Sequence, residues 1–425
     1  MVPSQPDVLS MTSPYQLLGH PKDLDGHLGV LGPLPVPRQI TSAWRAQVAA
    51  LLEASGLAGR GGAAFPASIK LAVARAAGRG GMVVINGMEG EPASDKDKML
   101  LLMAPHLVLD GAAILAAACG ADEVVVCVPD GRDHIAAAIS TAIDERLHRR
   151  VDAVPLRLVR PPEHFVAGEE SALAAWIESG QSLPSFRPDK GTALRIGKRR
   201  ALVHNTETLA HVAMIARRGP EGFRRRGLPE EPGTTLITIT GSVQRPGVVE
   251  VDRGAPLRSV VERAIALSAP QALLVGGYGG TWVGPEHFDM PYASLSLRTI
   301  GATAGVGVIV VLGPEHCGLS ETARIAHYMA GQSAGQCGPC VYGLPAIADD
   351  LTRLARGNAD PDLLVRLDRR LTQVNGRGAC RHPDGVVGMV RSALRVFDAD
   401  VAAHKLGSPC AHALGPSPLR FPAAS

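Results

Sequence analysis

A chain of 425 residues, 46% of them apolar, has ample length for several domains with their own cores. Its 43 Lys and Arg against 40 Asp and Glu leave a formal charge of +3, and no basic stripe dominates, which argues against a nucleic-acid protein. No apolar run reaches a membrane span and the N-terminus shows no basic-then-apolar leader, so a cytoplasmic setting is expected.

Residues 1–40 read as an extended arm, because Pro33 to Pro37 are too proline-rich for a helix. Thr41 suits the N-cap of a helix with apolar Trp44, Val48, Leu51 and Leu52. Gly59-Arg60-Gly61-Gly62-Ala63-Ala64 then leaves the backbone nearly bare, and Pro66 opens a helix over 67–77. A glycine-rich turn feeding a helix N-terminus is a ready phosphate site, and Lys70 adds a full charge one turn in. A plain tight turn reads equally well at this point. Met82–Asn86, Glu123–Val128 and Val154–Val159 read as buried strands, with helices over 107–119 and 135–147 between them. Strands alternating with helices predict a mostly parallel sheet.

From Thr234 to Val251 the pattern changes to period two, punctuated by Gly241 and Pro246-Gly247, which predicts hairpin-like strands. A helix over 257–266 and a strand over 272–275 complete a small β-rich unit. Beyond Leu319 the chain reads as helices over 319–330, 341–356, 361–373 and 385–404, and from Gly407 as a loose tail.

Four stretches carry chemistry besides the glycine loop. Asn86 ends a strand, where open α/β sheets place ligands, and Glu89 and Glu91 follow it; an acidic surface turn is the alternative. Gly168-Glu169-Glu170 opens a helix, where acidic residues also simply suit the dipole. His204-Asn205-Thr206-Glu207-Thr208 sits at a strand-to-helix junction, facing a ligand or capping the helix. Of seven cysteines, Cys337 and Cys340 form a Cys-x-x-Cys pair, with Cys380 beyond. Iron–sulfur ligation, zinc binding and plain buried thiols all fit that spacing.

These stretches, in this order, resemble the NADH- and FMN-binding flavoprotein subunit of respiratory complex I and its relatives in NAD-reducing hydrogenases and formate dehydrogenases. The resemblance covers about residues 45–405. It implies a Rossmann-like α/β domain over 41–232 for FMN and NADH, a small β-grasp-like domain over 233–300, and a helical iron–sulfur domain over 301–406, with the tail at 407–425. Carried over by position, it implies Gly59, Arg60, Gly61, Gly62 and Lys70 around the flavin phosphate and ring. Asn86, Glu89 and Glu91 fall on the flavin and nicotinamide side, and Gly168, Glu169 and Glu170 in the flanking loop. Asn205 falls on the flavin, Phe65 and Phe165 line the NADH cleft, and Arg187 lies near the dinucleotide. Cys337, Cys340 and Cys380 match three of four cysteines for a 4Fe-4S cluster. The implied activity is hydride exchange between NADH or NADPH and FMN, with one-electron exit to a ferredoxin or another iron–sulfur protein, within a redox complex that can be membrane-associated. No side chain is needed as acid or base.

Four positions depart from the family. Ala334 replaces the first cluster cysteine, which leaves room for a three-iron cluster, or for a four-iron cluster with water, Ser333, Cys317, Cys410, His316 or His382 on the open iron. Met88 stands for an Asp beside the nicotinamide, Val73 for an aromatic stacking on adenine, and His204 for an Asn near the flavin. They keep open two other readings: a flavoprotein fed by ferredoxin or a membrane partner without NADH, and a non-catalytic ligand-binding or scaffold relative.

Overall fold

Residues 15–186 and 192–422 are described by a computed structural model of the chain. The expected arm is partly helical: α1 (Leu24–Leu31) is capped by Asp23, which accepts from Gly26 N, and it buries His27 against Asp110. α2 (Ser42–Ser55) begins where Thr41 Oγ1 accepts from Trp44 N and ends at a left-handed Gly56. α3 (Ala67–Ala76) follows, with Pro66 just outside it as the N-cap. Then come β1 (Met82–Asn86), α4 (Lys96–Met103), α5 (Pro105–Cys119), β2 (Glu123–Cys127), α6 (Asp133–Arg149) and β3 (Leu156–Val159). A 3-10 turn at Phe165–Gly168 leads into α7 (Glu170–Ser179), β4 (Leu194–Ile196), β5 (Arg199–Asn205) and α8 (Thr206–Arg224). Periodicity does not reveal α4, because its charged Lys96 and Asp97 are themselves buried.

The first sheet has the order β3-β2-β1-β5-β4, parallel except for β4 against β5. Successive connections leave β1 on one side toward β2 and return on its other side as β5. The order therefore reverses between β1 and β5, where the register sets Asn86 beside Asn205. α5 is buried at every residue, as a helix apolar all round must be. It crosses α8 so closely that a Cβ on Gly111 would lie 1.9 Å from Leu209 O. Among the described residues no single helix is long and apolar enough to cross a membrane; α4 and α5, bent by 95°, pass only as a pair.

The second sheet contains β6 (Thr234–Gly241), β7 (Gly247–Asp252), β8 (Ala272–Val275), β9 (Thr281–Val283) and β10 (Val308–Leu312), with α9 (Leu257–Glu262) and α10 (Ser294–Arg298) in its connections. Its order is β7-β6-β10-β8-β9, with β10 parallel to β6 and the remaining pairs antiparallel. The central strand β10 lies beyond residue 300, so the sheet runs past the expected boundary. Its faces alternate: Ile309 and Val311 pack with α9, while Val308, Val310 and Leu312 join the core of the C-terminal helices. A sheet buried on both faces reads as an unbroken apolar run, which hides its period.

Those helices are α11 (Gly318–Gly331), α12 (Leu344–Ala355), α13 (Leu363–Val374), α14 (His382–Val396) and α15 (Asp398–Lys405). The single helix expected over 385–404 breaks at Phe397. The tail is not loose over its described residues. Tyr278 Oη donates to Arg420 O at 2.6 Å, Arg420 pairs with Asp95 at 2.8 Å, and Phe421 packs 5.3 Å from Tyr278 and 5.5 Å from Tyr328. Covering the apolar Leu419 and Phe421 gives the segment its reason to dock.

Candidate functional site

Gly59 N donates to Phe65 O and Ala67 N to Leu57 O, both at 2.9 Å, closing a loop whose tip at 61–63 is exposed. Among the described residues nothing accepts a hydrogen bond from the amides of Gly61, Gly62 or Ala63. Ala64 sits at φ +49°, a left-handed conformation that strains a residue with a Cβ. The tip leans on the sheet edge: a Cβ on Gly61 would lie 3.3 Å from Asn205 Cβ. Asn86 Nδ2 donates to Gly168 O at 2.8 Å, and a Cβ on Gly168 would lie 3.1 Å from Met88 Cβ. Lys70 Nζ lies 3.1 Å from Val203 O and 3.0 Å from Glu170 Oε2. Gly61, Gly62, Lys70, Asn86, Gly168, Glu170 and Asn205 are thus gathered at the carboxyl ends of β1 and β5. That is where strand order reverses and where open α/β sheets hold ligands. His204 is buried beside Lys70 with Nε2 unpaired, and burial followed by the Lys70 charge lowers its pKa to about 3.

Other expected residues turn elsewhere. Glu89 accepts from Asp97 N and Lys98 N, both at 2.9 Å, and so caps α4. Glu91 accepts from Tyr278 N at 2.8 Å and Ala93 N at 3.2 Å, and burial raises its pKa to about 7. Glu169 caps α7 through Ser171 N at 2.9 Å and Ala172 N at 3.0 Å. Arg60 sends its guanidinium inward to Thr234 O at 3.0 Å, beside a cavity of about 130 Å³ that Arg253 and Tyr292 also line. Gly59 stays at the neck of the loop, Phe65 is half-buried there, and Arg187 lies outside the described residues. Met88 is 1% exposed and belongs to the apolar core on one face of the sheet, where an Asp would have no place.

Sequence reading missed the ionic cluster beneath this edge. Lys96 Nζ lies 2.8 Å from Asp97 Oδ1 and 2.9 Å from Glu207 Oε2, all of them buried. Asp97 accepts from Asn205 Nδ2 and Thr206 Oγ1, both at 2.6 Å, while Glu207 accepts from Thr235 Oγ1 and Leu236 N, both at 2.9 Å. Asn205 also caps α8 by accepting from Glu207 N, so it serves the helix and the sheet edge at once. The only signal was the density of polar residues at the two strand ends.

Cys337, Cys340 and Cys380 line one cavity together with Ala334, Val166 and His382. Burial, reinforced by the neighbouring Cys337, pushes the Cys340 thiol up to about 12. Three sulfur donors around one space, in a helical setting, suit an iron–sulfur cluster short of one thiolate. Cys317 and Cys410 instead meet His404, their ligand atoms within 4.8 Å of one another, and His316 Nδ1 faces Pro416 O at 3.1 Å. The segment Phe165–Glu170 touches both places: Gly168 and Glu170 hold Asn86 and Lys70, Val166 lines the cysteine cavity, and the Phe165 ring lies 5.4 Å from that of His382.

Residues 52–214 match the family model described as the Nuo51 FMN-binding domain, and residues 320–404 match the NADH-ubiquinone oxidoreductase-F iron-sulfur binding region. The second F-type NADH-quinone oxidoreductase protein of Rhizobium meliloti is 28% identical over 372 residues, 84% of this chain and 88% of that one. The mitochondrial NADH dehydrogenase [ubiquinone] flavoprotein 1 of Dictyostelium discoideum is 28% identical over 376 residues, 82% of this chain and 76% of that one. Among solved structures, an NAD+-reducing [NiFe]-hydrogenase in its H2-reduced state superposes with a TM-score of 0.78 at 27% identity over 88% of this chain. The chain spans 64% of that hydrogenase chain's length. With both models matched in order, and with the loop, strand ends and cysteines they cover converging in the fold, the chain belongs to the NADH-quinone oxidoreductase-F family.

Proposed function

We propose that this chain exchanges hydride between NADH and FMN held over the β1–β5 edge, and releases single electrons through an iron–sulfur centre at Cys337, Cys340 and Cys380. The observation that carries this reading is the Phe165–Glu170 segment, which links the strand edge to the cysteine cavity in one short stretch. FMN, when bound, converts a two-electron donor into one-electron steps, and the protein supplies position and electrostatics. The bare amides of Gly61–Ala63 and the Lys70 ammonium suit a phosphate. Asn86 and Asn205 hold the polar edge of the ring in register, and His204, neutral at physiological pH, adds a lone pair rather than a charge. Glu89, Glu91, Glu169 and Arg60 act by fixing the loops, since their polar atoms are engaged by the protein itself. Gly59, Phe65 and Phe165 shape the loop necks, and Arg187 is assigned to the dinucleotide.

In this reading residues 41–232 serve flavin and nucleotide, the β unit braces that domain against the helices, and the helical unit serves the metal. Electrons leave to a ferredoxin or another iron–sulfur protein, in the cytoplasm, with any membrane contact made through partners. Protein purified anaerobically should be yellow-brown, and its flavin absorbance should bleach with NADH. Bound FMN that neither NADH nor NADPH bleaches removes the nucleotide step. The buried Met88 favours, as a second reading, the same flavoprotein fed by reduced ferredoxin, which would then bleach the flavin instead.

A further inference from the structure

Ala334 brings no donor atom to the cysteine cavity, yet one side chain in that cavity has a donor to spare. His382, at the N-terminus of α14, is 8% exposed and lines the cavity with Cys337, Cys340, Cys380 and Ala334. Its Nε2 lies 2.8 Å from Met329 O, so the ring proton belongs on Nε2 and the lone pair on Nδ1. Nδ1 is buried with no hydrogen-bond partner. An imidazole with one nitrogen anchored on a backbone carbonyl and the other free is how metal-ligating histidines are oriented. The Phe165 ring, edge-on at 5.4 Å and an interplanar angle of 64°, limits rotation of the imidazole. A buried lone pair without a partner is costly, and iron would satisfy it.

We propose that His382 supplies the fourth iron ligand through Nδ1, in place of the thiolate that Ala334 lacks. This rests on the reading of Cys337, Cys340 and Cys380 as an iron–sulfur site. The nitrogen donates its lone pair while Nε2–H stays on Met329 O, so no proton is released, whereas a thiol must lose one to bind. The centre therefore carries one negative charge fewer than a four-thiolate cluster. Imidazole in place of thiolate raises the reduction potential of iron–sulfur centres.

The full-length chain, loaded anaerobically with iron and sulfide and then reduced, tests this by pulsed EPR with and without ¹⁵N-histidine. The expected result is a nitrogen coupling that changes on ¹⁵N labelling and disappears in His382→Ala. His382→Cys should keep a four-iron cluster by Mössbauer spectroscopy and show a lower midpoint potential than the native chain. A native four-iron cluster without a ¹⁵N-sensitive coupling overturns the ligand assignment, and so does a native three-iron cluster. Protein that takes up no iron refutes the cluster reading itself, and the ligand assignment with it. The labelling result on the native chain stands even if a variant fails to fold.

Discussion

Glu207 is the residue on which the two sheets meet, and its charge can be removed almost without changing its shape. In Glu207→Gln the Oε1 atom can still accept from Thr235 Oγ1 and Leu236 N, so only the ionic term is lost. That term is large because Lys96 and Glu207 are 1% and 0% exposed. At the 2.9 Å separation of Lys96 Nζ from Glu207 Oε2, an effective dielectric of about 20 gives roughly 6 kcal/mol of attraction. Asp97 stays 2.8 Å from Lys96, which softens the loss, but Arg60 keeps only carbonyl partners among the described residues. Breaking one partner out of a buried ion pair costs about 3–5 kcal/mol, so that is the expected destabilisation. Against a native stability of about 5–15 kcal/mol this is a large share. Urea unfolding followed by far-ultraviolet circular dichroism and tryptophan emission measures it. The double variant Glu207→Gln, Lys96→Met removes the stranded ammonium and should recover more than half of the loss. A single-variant loss below about 1 kcal/mol, or a double variant as unstable as the sum of its singles, refutes the electrostatic account of this junction.

Gly61→Val should weaken FMN binding at least tenfold, about 1.4 kcal/mol, because its side chain enters the space against Asn205. Residue 61 is exposed, so the thermal melt should hardly move; an unchanged flavin Kd by fluorescence titration would disprove the loop's role. Glu91 and Glu250 both have folded pKa values of about 7 against an ordinary 4.5. The folded state then binds more protons than the unfolded chain between these values, so stability should fall as pH rises from about 4.5 to about 7 and level off above. Glu91→Gln should flatten part of that slope, with Glu250 carrying the remainder, and a slope parallel to the native one would show that Glu91 ionises normally.

Local pattern revealed much of this molecule because its signals need no partner. The Thr41 cap, the strand at Met82–Asn86, the glycine loop into Pro66 and the hairpin at Gly241–Gly247 each follow from backbone restrictions within a few residues. The Cys-x-x-Cys pair and the polar strand ends marked where chemistry sits. What local pattern could not carry is direction and burial. Whether a carboxylate faces a ligand or caps a helix depends on which amides lie opposite, so Glu89, Glu91 and Glu169 read alike in sequence and proved to be loop anchors. β10 and the docked tail were hidden for a related reason: a strand buried on both faces loses its alternation, and the residues covering the tail come from distant segments. The same holds for His382, whose free nitrogen becomes visible only when Met329 claims the other and the three cysteines close around it.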